Sequence, residues 1–363
     1  MLARKPMKKY VLHPWKLTSV YCLFLFLMLC GGIQAQDDSS LAEVKPVPVL
    51  TGSTAYFTRV NGGQVQDAPT VSPLLLLPIG DHLLIESKAG LSETFSKNAQ
   101  GDYAGTVSYG MAYAQADYIT KYATFTGGRF TTPFNMYGER LAPNWIRDLQ
   151  GTPISVPITS GAALGGMVRG GLPLGTDKVH LNYATYFSTA NTNHILATDR
   201  STGGRIGFFL PGPRLEVGAS FQQVLQQDRP HAVGTHFEWQ PNAFPLTLRS
   251  EYTRSSGTRG SGYWVEAAYR LSQIPHMGAT ELVGRGQQFF AAANLAPAVA
   301  KKLGPLGVDT NEGDWGLNYY FGSDVRASAS YGRQFALGRN ANLWTIGMTY
   351  RFVMPMWPTG GGL

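Results

Sequence analysis

The sequence predicts an all-β protein, a transmembrane antiparallel up-and-down β-barrel of about 14 strands, or 16 if segments within 50–80 or 131–161 also pair. Short segments alternate apolar with small or polar residues, most clearly in Val179–Phe187, Val-His-Leu-Asn-Tyr-Ala-Thr-Tyr-Phe. Because successive side chains of a strand point to opposite faces, each segment has one apolar and one wet face. A soluble β-sandwich also alternates, but aromatic residues near the ends of the apolar faces and asymmetric loop lengths favour the barrel.

The first 35 residues predict a secretory signal peptide and export to the bacterial outer membrane. Five basic residues precede an apolar run from Leu17 to Cys30, and a cleavage site follows Ala35. Beyond this segment no stretch of 18 apolar residues occurs, which excludes a helical membrane protein. Both cysteines, Cys22 and Cys30, lie within the signal, so the mature chain has no thiol chemistry.

Charge and motifs exclude several functional classes. Of 30 basic residues five belong to the signal, which leaves 25 basic against 23 acidic residues in the mature chain. A net charge of +2 gives a nucleic-acid partner no electrostatic support. The histidines lack metal-ligand spacing, and no glycine-rich loop has the context that phosphate binding requires, so no metal and no cofactor is predicted.

Residues 36–80 are rich in proline and show no sustained periodicity. They are predicted to form a periplasmic or lumen-entering segment, with a disordered leader as the alternative. The barrel is predicted to span residues 81–352 and to be followed by a tail, 353–363. Fourteen strands are expected near 82–94, 103–116, 118–130, 162–172, 178–188, 203–210, 214–224, 232–240, 245–255, 262–271, 279–289, 313–321, 324–334 and 342–352.

Connection lengths test the barrel. The long ones, 131–161, 189–202 and 290–312, all follow odd-numbered strands of this set, whereas short turns, among them Asp117 and Gly322-Ser323, follow even-numbered ones. Long loops at one end and tight turns at the other are typical of outer-membrane barrels.

Charged residues fall on the faces opposite the apolar stripes. Trp315, Leu317, Tyr319 and Phe321 form one outward stripe, and Val107, Tyr109, Met111 and Tyr113 another. Arginine facing lipid at mid-depth costs roughly 2–4 kcal/mol, so inward charges are expected. They either line a wet channel or brace its wall as Arg–Glu pairs, and both roles are compatible. The inward set comprises Arg169, Arg214, Arg249, Arg270, Arg326, Arg351, Glu216, Glu238, Glu251 and Glu266.

The longest loop, 131–161, carries Trp145 and Leu149 beside charged residues, which is unusual for an exposed tip. We expect it to fold into the lumen and narrow the pore, with Arg140 and Arg147 lining the gap; an external cap between protomers is the alternative. The predicted pore-lining set therefore also includes Arg129, Glu139, Arg140, Arg147 and Asp148.

The segment Gly128-Arg129-Phe130, followed by Pro133-Phe134, resembles the strand-to-loop passage of the phosphate-selective porin O/P family. The final strand, Trp344 to Phe352, is similar to a porin terminal strand ending in Tyr-x-Phe. The resemblance implies an outer-membrane barrel that passes small solutes, often anions, and a homo-oligomer, for instance a trimer. No arginine–lysine ladder of that family can be matched here, and residues 353–363 extend past the usual end.

The predicted function is a porin for passive or facilitated diffusion of small hydrophilic solutes, with weak anion preference, surrounded by outer-membrane lipid and without enzymatic activity. One alternative is a non-transporting surface or scaffold barrel. The other is an outer-membrane hydrolase, in which His194 would act with Ser188 or Asp199.

Overall fold

The computed structural model describes residues 47–356, apart from 98–100, 102, 160, 176–177, 194–195, 227–228, 258, 294–306 and 337–338. Sixteen antiparallel strands close into an up-and-down barrel, in which each strand pairs with its neighbours in sequence and β1 pairs with β16. The predicted fold class is thereby confirmed, with the larger of the two strand counts. Among the described residues no helix is long and apolar enough to cross a membrane.

The first eight strands alternate in direction around one half of the barrel. They are β1 Val49–Asn61, β2 Gln64–Ile79, β3 Leu83–Lys97, β4 Tyr103–Ile119, β5 Ala123–Thr131, β6 Ala162–Leu174, β7 Val179–Ser188 and β8 Ser201–Leu210. The other half follows in the same manner. It consists of β9 Leu215–Val224, β10 His231–Trp239, β11 Leu246–Ser255, β12 Ser261–Arg270, β13 Thr280–Phe290, β14 Thr310–Phe321, β15 Val325–Ala336 and β16 Arg339–Pro355.

Strands β3–β16 correspond to the 14 predicted strands. Strands β1 and β2 lie in the segment 36–80, which was predicted to be periplasmic or lumen-entering, and they supply the two strands that the 16-strand alternative placed within 50–80 or 131–161. Prolines 69, 73 and 78 prevent the prediction of β2 from the sequence. Proline cannot donate a hydrogen bond to a neighbouring strand, so its presence argues against a central strand. The run Leu74–Leu77 also places leucine on both faces, which removes the alternation. The barrel therefore begins at Val49, and β16 extends beyond Phe352 to Pro355. The predicted signal peptide lies outside the described residues.

The two faces of the wall differ as the alternation predicts. On the outside, Trp315 is 70% exposed, whereas Asn318, on the inward face of the same strand, is 1% exposed. A barrel needs no polar outer surface where hydrocarbon surrounds it, so these exposed aromatic and aliphatic side chains fit a lipid-facing band.

A bulge in β4 changes the predicted face of Tyr113. Lys88 and Ala89 of β3 pair with Tyr113 and Met111, which leaves Ala112 without a partner and reverses the alternation. Tyr113 thus shares the inward face with Gln115 and Asp117, and its predicted outward position is wrong. Asp117 itself, predicted to form a turn, is a buried residue of β4, and the turn follows at residues 120–122.

Candidate functional site: a loop docked inside the barrel

Residues 132–161, here called the inner loop, connect β5 to β6 and contact the inward faces of strands β8 to β16. The loop includes a π-helical turn, Tyr137–Leu141, and a 3₁₀ turn, Val156–Ile158. Near its start, the amide of Asn135 donates to Ser220 Oγ of β9 at 2.9 Å, and its side-chain amide donates to Thr253 Oγ1 of β11 at 3.0 Å. Since both partners lie on the inward face, the loop enters the barrel interior rather than capping it.

The Glu251 carboxylate of β11 anchors the π-helical turn. Its Oε1 accepts hydrogen bonds from the backbone amides of Met136 at 2.7 Å and Tyr137 at 2.6 Å, and its Oε2 accepts one from the Trp264 indole at 3.2 Å. Amide groups at the start of a helical turn lack intrahelical partners, so a carboxylate placed there satisfies them and is stabilised by the local dipole. Met136, Tyr137 and Leu141 pack on Trp264 to complete this contact.

Three ion pairs fix the rest of the loop to the wall. The Arg140 guanidinium donates to both oxygens of Glu216 at 2.7 and 2.8 Å, in the two-pronged geometry that makes arginine–carboxylate pairs strong. Glu139 lies 2.6 Å from Arg205 of β8. Asp148 lies 2.6 Å from Arg249 of β11. Burial lowers the pKa of the Arg140 guanidinium, but its bond to Glu216 and the nearby carboxylates outweigh this and leave the pKa raised.

The remaining wall charges form a connected network beneath the loop. Arg249 also contacts Glu238 at 3.1 Å and Glu266 at 3.8 Å. Arg285 lies 3.7 Å from Glu266 and 3.3 Å from Asp314, and it donates to the carbonyl of Gly151 in the loop at 2.8 Å. On this side of the barrel the charges compensate one another, which is the bracing role predicted for the Arg–Glu pairs.

The tip of the loop is held by arginine–aromatic contacts. Arg326 donates to the carbonyl of Asn144 at 2.6 Å, and its guanidinium lies 5.6 Å from the ring of Trp145. Arg351 approaches the same ring at 5.4 Å, and Tyr320 packs edge-on against it. Cations over a tryptophan face are attracted by its negative π-cloud.

Glycines of the wall make room for the loop. A Cβ atom at Gly234 of β10 would lie 2.8 Å from Phe134 Cε1, and one at Gly262 of β12 would lie 3.1 Å from Ser155 Cβ. The loop therefore approaches the sheet closely enough that only glycine fits at Gly234.

The wall formed by β1 to β4 has a different charge pattern. Arg59 of β1 and Lys88 of β3 are each close enough to Arg147 of the loop to feel its positive charge. Within the described part of the chain none of these three cations forms an ion pair; Arg147 donates only to loop carbonyls. Arg59 Nε, Arg147 Nε and the Tyr137 hydroxyl are buried without a hydrogen-bond partner among those residues. We refer to Arg59, Lys88 and Arg147 as the cation cluster.

Most of the predicted site residues come together around the loop. Arg270 lies 4.3 Å from the Tyr320 ring, and Arg169 pairs with the buried Asp117 at 3.4 Å, away from the loop contacts. Arg214 lies in the turn between β8 and β9, where it donates to Gln240 Oε1 at 2.9 Å, so its predicted inward position on a strand is wrong. Arg129 lies on the other face of β5 from the buried Phe130, and its guanidinium donates to the carbonyls of Met111 and Ala197. A lumen-lining position is therefore wrong for Arg129.

Several charged residues on the inward face were not predicted, among them Arg59, Lys88, Asp117, Arg205, Arg285 and Asp314. Arg205 and Arg285 could have been found, because each shares its face with a predicted neighbour: Arg285 pairs directly with Glu266. Arg59 could not, since its strand was not predicted.

The structure does not describe a catalytic group formed by His194 with Ser188 or Asp199, the residues of the hydrolase alternative. His194 lies outside the described residues, and Ser188 is buried with its hydroxyl bonded to the carbonyls of Thr189 and Asp199. Elsewhere Ser256 Oγ lies 3.1 Å from His231 Nδ1, a contact that the sequence did not predict. No group of three or more potential metal ligands occurs in the part of the chain that is described.

No protein-family model and no curated protein matches the chain. Solved structures do match. OmpF of Salmonella typhi, in a complex with daunomycin, has 12% identity and a TM-score of 0.57, with 84% of this chain and 97% of that one covered. The anion-selective porin of Comamonas acidovorans has 10% identity and a TM-score of 0.51, with 85% and 99% covered. OmpT of Vibrio cholerae, described in a trimer form, has 12% identity and a TM-score of 0.52, with 85% and 100% covered.

These comparisons correct one prediction and refine another. The prediction that the chain has no enzymatic activity does not stand, because the structural neighbours include OmpT as well as porins. A fold shared at such low sequence identity does not decide whether a protein is catalytic. The resemblance to porins is confirmed at the level of the fold, while the phosphate-selective O/P family is not among the structures named here. The chain thus has the fold of the outer-membrane porins.

Proposed function

We propose that this protein is an outer-membrane channel of porin type that conducts small hydrophilic solutes with a mild preference for anions. The solute path runs between the inner loop and the wall of β1 to β4, and the inner loop forms its constriction. Charged walls of such a path replace part of the hydration shell of a solute and set its selectivity.

The distribution of charge carries the proposal. Arg140, Arg205 and Arg249 are neutralised by carboxylates where the loop meets the far wall. Across the lumen no carboxylate pairs with the cation cluster in the described part of the chain, so a positive field is expected in the open part of the lumen. Glu86 and Asp117 lie on the same wall, and Asp117 is paired with Arg169. Together they limit the anion preference to a mild one.

Export through the predicted signal peptide, residence in the outer membrane and assembly as a homotrimer belong to the same proposal. The apolar outer band and the porin fold support a membrane location, and the trimer form described for OmpT of Vibrio cholerae supports the trimer. The resemblance of residues 128–134 to phosphate-selective porins adds a reason to expect anions among the solutes.

Planar-bilayer recordings in a KCl gradient test the function. A steady open current with a reversal potential on the chloride side is expected, and the Arg59→Gln, Lys88→Gln double variant should move that potential towards the potassium side. The control variant Lys121→Gln, Arg214→Gln removes the same amount of charge from the turns that connect β4 to β5 and β8 to β9. It should leave the reversal potential unchanged. A barrel without steady current, or a cation-selective wild type, would refute the proposal.

A further inference from the structure

The wall of β1 to β4 carries leucines on its inward face. Leu74 of β2 lies directly opposite Lys88 of β3 and Thr51 of β1. Leu84 of β3 lies opposite Asp117, which is buried on the inward face with Arg169. Since directly opposite residues share one face of a sheet, these leucines point into the barrel, and so does Leu76, two residues after Leu74.

Two groups of apolar inward side chains on the other side of the barrel are covered by the loop. Trp264 of β12 is 1% exposed beneath Met136, Tyr137 and Leu141. Val283 and Ala268 are buried beneath Leu149. Leu74, Leu76 and Leu84 stay partly exposed, although the interior of a conducting barrel is normally polar. An apolar surface therefore faces the proposed solute path.

This surface adjoins the cation cluster. Lys88 is the cross-strand partner of Leu74, and the positive charge of Arg147 in the loop acts on Lys88. Glu86 is the partner of Leu76, so a second negative charge on a solute would be repelled from the leucines. The wall thus combines an attraction for one negative charge with a nonpolar area beside it.

We propose that the solute path favours amphipathic monoanions, that is, carboxylates attached to a compact apolar body. The carboxylate lies between Lys88 and Arg147, and the apolar body lies on Leu74 and Leu76. The inference rests on the proposed channel function and deepens it by naming a solute class.

Bi-ionic reversal potentials with sodium benzoate on one side and sodium acetate on the other test this directly. After correction for aqueous mobility, benzoate should be about threefold more permeant than acetate, the factor expected from burying about 30 Å² of apolar solute surface. In the Leu74→Asn, Leu76→Asn variant this ratio should fall to about one, because the apolar contact is lost. The Ser72→Asn variant, changed on the same face of β2, should keep the ratio of the wild type.

The outcomes separate this inference from the proposed function. An anion-preferring wild type in KCl whose benzoate ratio is one or less overturns the inference alone, whereas absence of anion preference in KCl overturns the proposed selectivity as well. A ratio unchanged in the Asn variant also overturns the inference. If that variant gives no chloride current, the Leu74→Ala, Leu76→Ala variant supplies the same comparison.

Discussion

Glu251 fixes the point at which the inner loop turns into the barrel, so its removal should release the loop. The carboxylate accepts two backbone hydrogen bonds, from Met136 and Tyr137, and is 3% exposed. A hydrogen bond to a charged group contributes roughly 1.5–3 kcal/mol, and Glu251→Ala loses two and leaves two buried amides unsatisfied. The docked state should therefore lose about 3 kcal/mol, which increases the open population of the loop roughly 100-fold.

Hydrogen exchange at the amides of Met136 and Tyr137 measures this population, because both amides are protected only while the loop is docked. Exchange in Glu251→Ala should accelerate by about two orders of magnitude, and single-channel currents should become larger and noisier. Glu251→Gln is the matched control: it keeps an oxygen for both amides and loses only the bond to Trp264, so a change of about tenfold or less is expected. Exchange in the alanine variant as slow as in the wild type would refute the anchoring role.

Two further predictions concern the same docking. Gly234→Ala should displace the start of the loop, because the added Cβ would lie 2.8 Å from Phe134 Cε1. The melting temperature of this variant should therefore be lower than that of the wild type. Gly286→Ala is the control and should leave the melting temperature unchanged, because a Cβ there meets nothing within 4 Å. Trp145→Ala removes the ring that Arg326 and Arg351 face, so limited proteolysis should cleave the tip of the loop faster. Trp145→Phe keeps an aromatic ring and is the control. Equal cleavage rates in the two variants would argue against the arginine–aromatic contact.

The fold was predictable from the sequence because a barrel wall imposes a period of two. Fourteen strands were located, and the inward positions of residues such as Glu216, Arg249 and Glu266 follow from alternation alone. Alternation does not predict strands or faces where it is interrupted. In β2 the prolines and the run of leucines remove the strand pattern, and in β4 the unpaired Ala112 reverses the face of Tyr113.

The candidate site was predictable only in part. The composition of residues 131–161 indicated a loop that folds inward, but the partners of its charges were beyond reach. Arg140 meets Glu216, 76 positions away, because closure of the barrel brings β9 under the loop. Which cations lack a carboxylate partner among the described residues depends on these pairings, so the cation cluster could be identified only from the structure.

The location of the solute path is the central claim, and cysteine modification tests it most directly. The two cysteines of the chain lie at positions 22 and 30, so single cysteines introduced into the barrel would be unique beyond the predicted signal. A negatively charged methanethiosulfonate should react with Lys88→Cys in the proposed solute path and reduce the current stepwise, and should leave Ser220→Cys beneath the loop unmodified. Modification and block at Ser220→Cys, with Lys88→Cys unaffected, would contradict a path between the inner loop and the wall of β1 to β4.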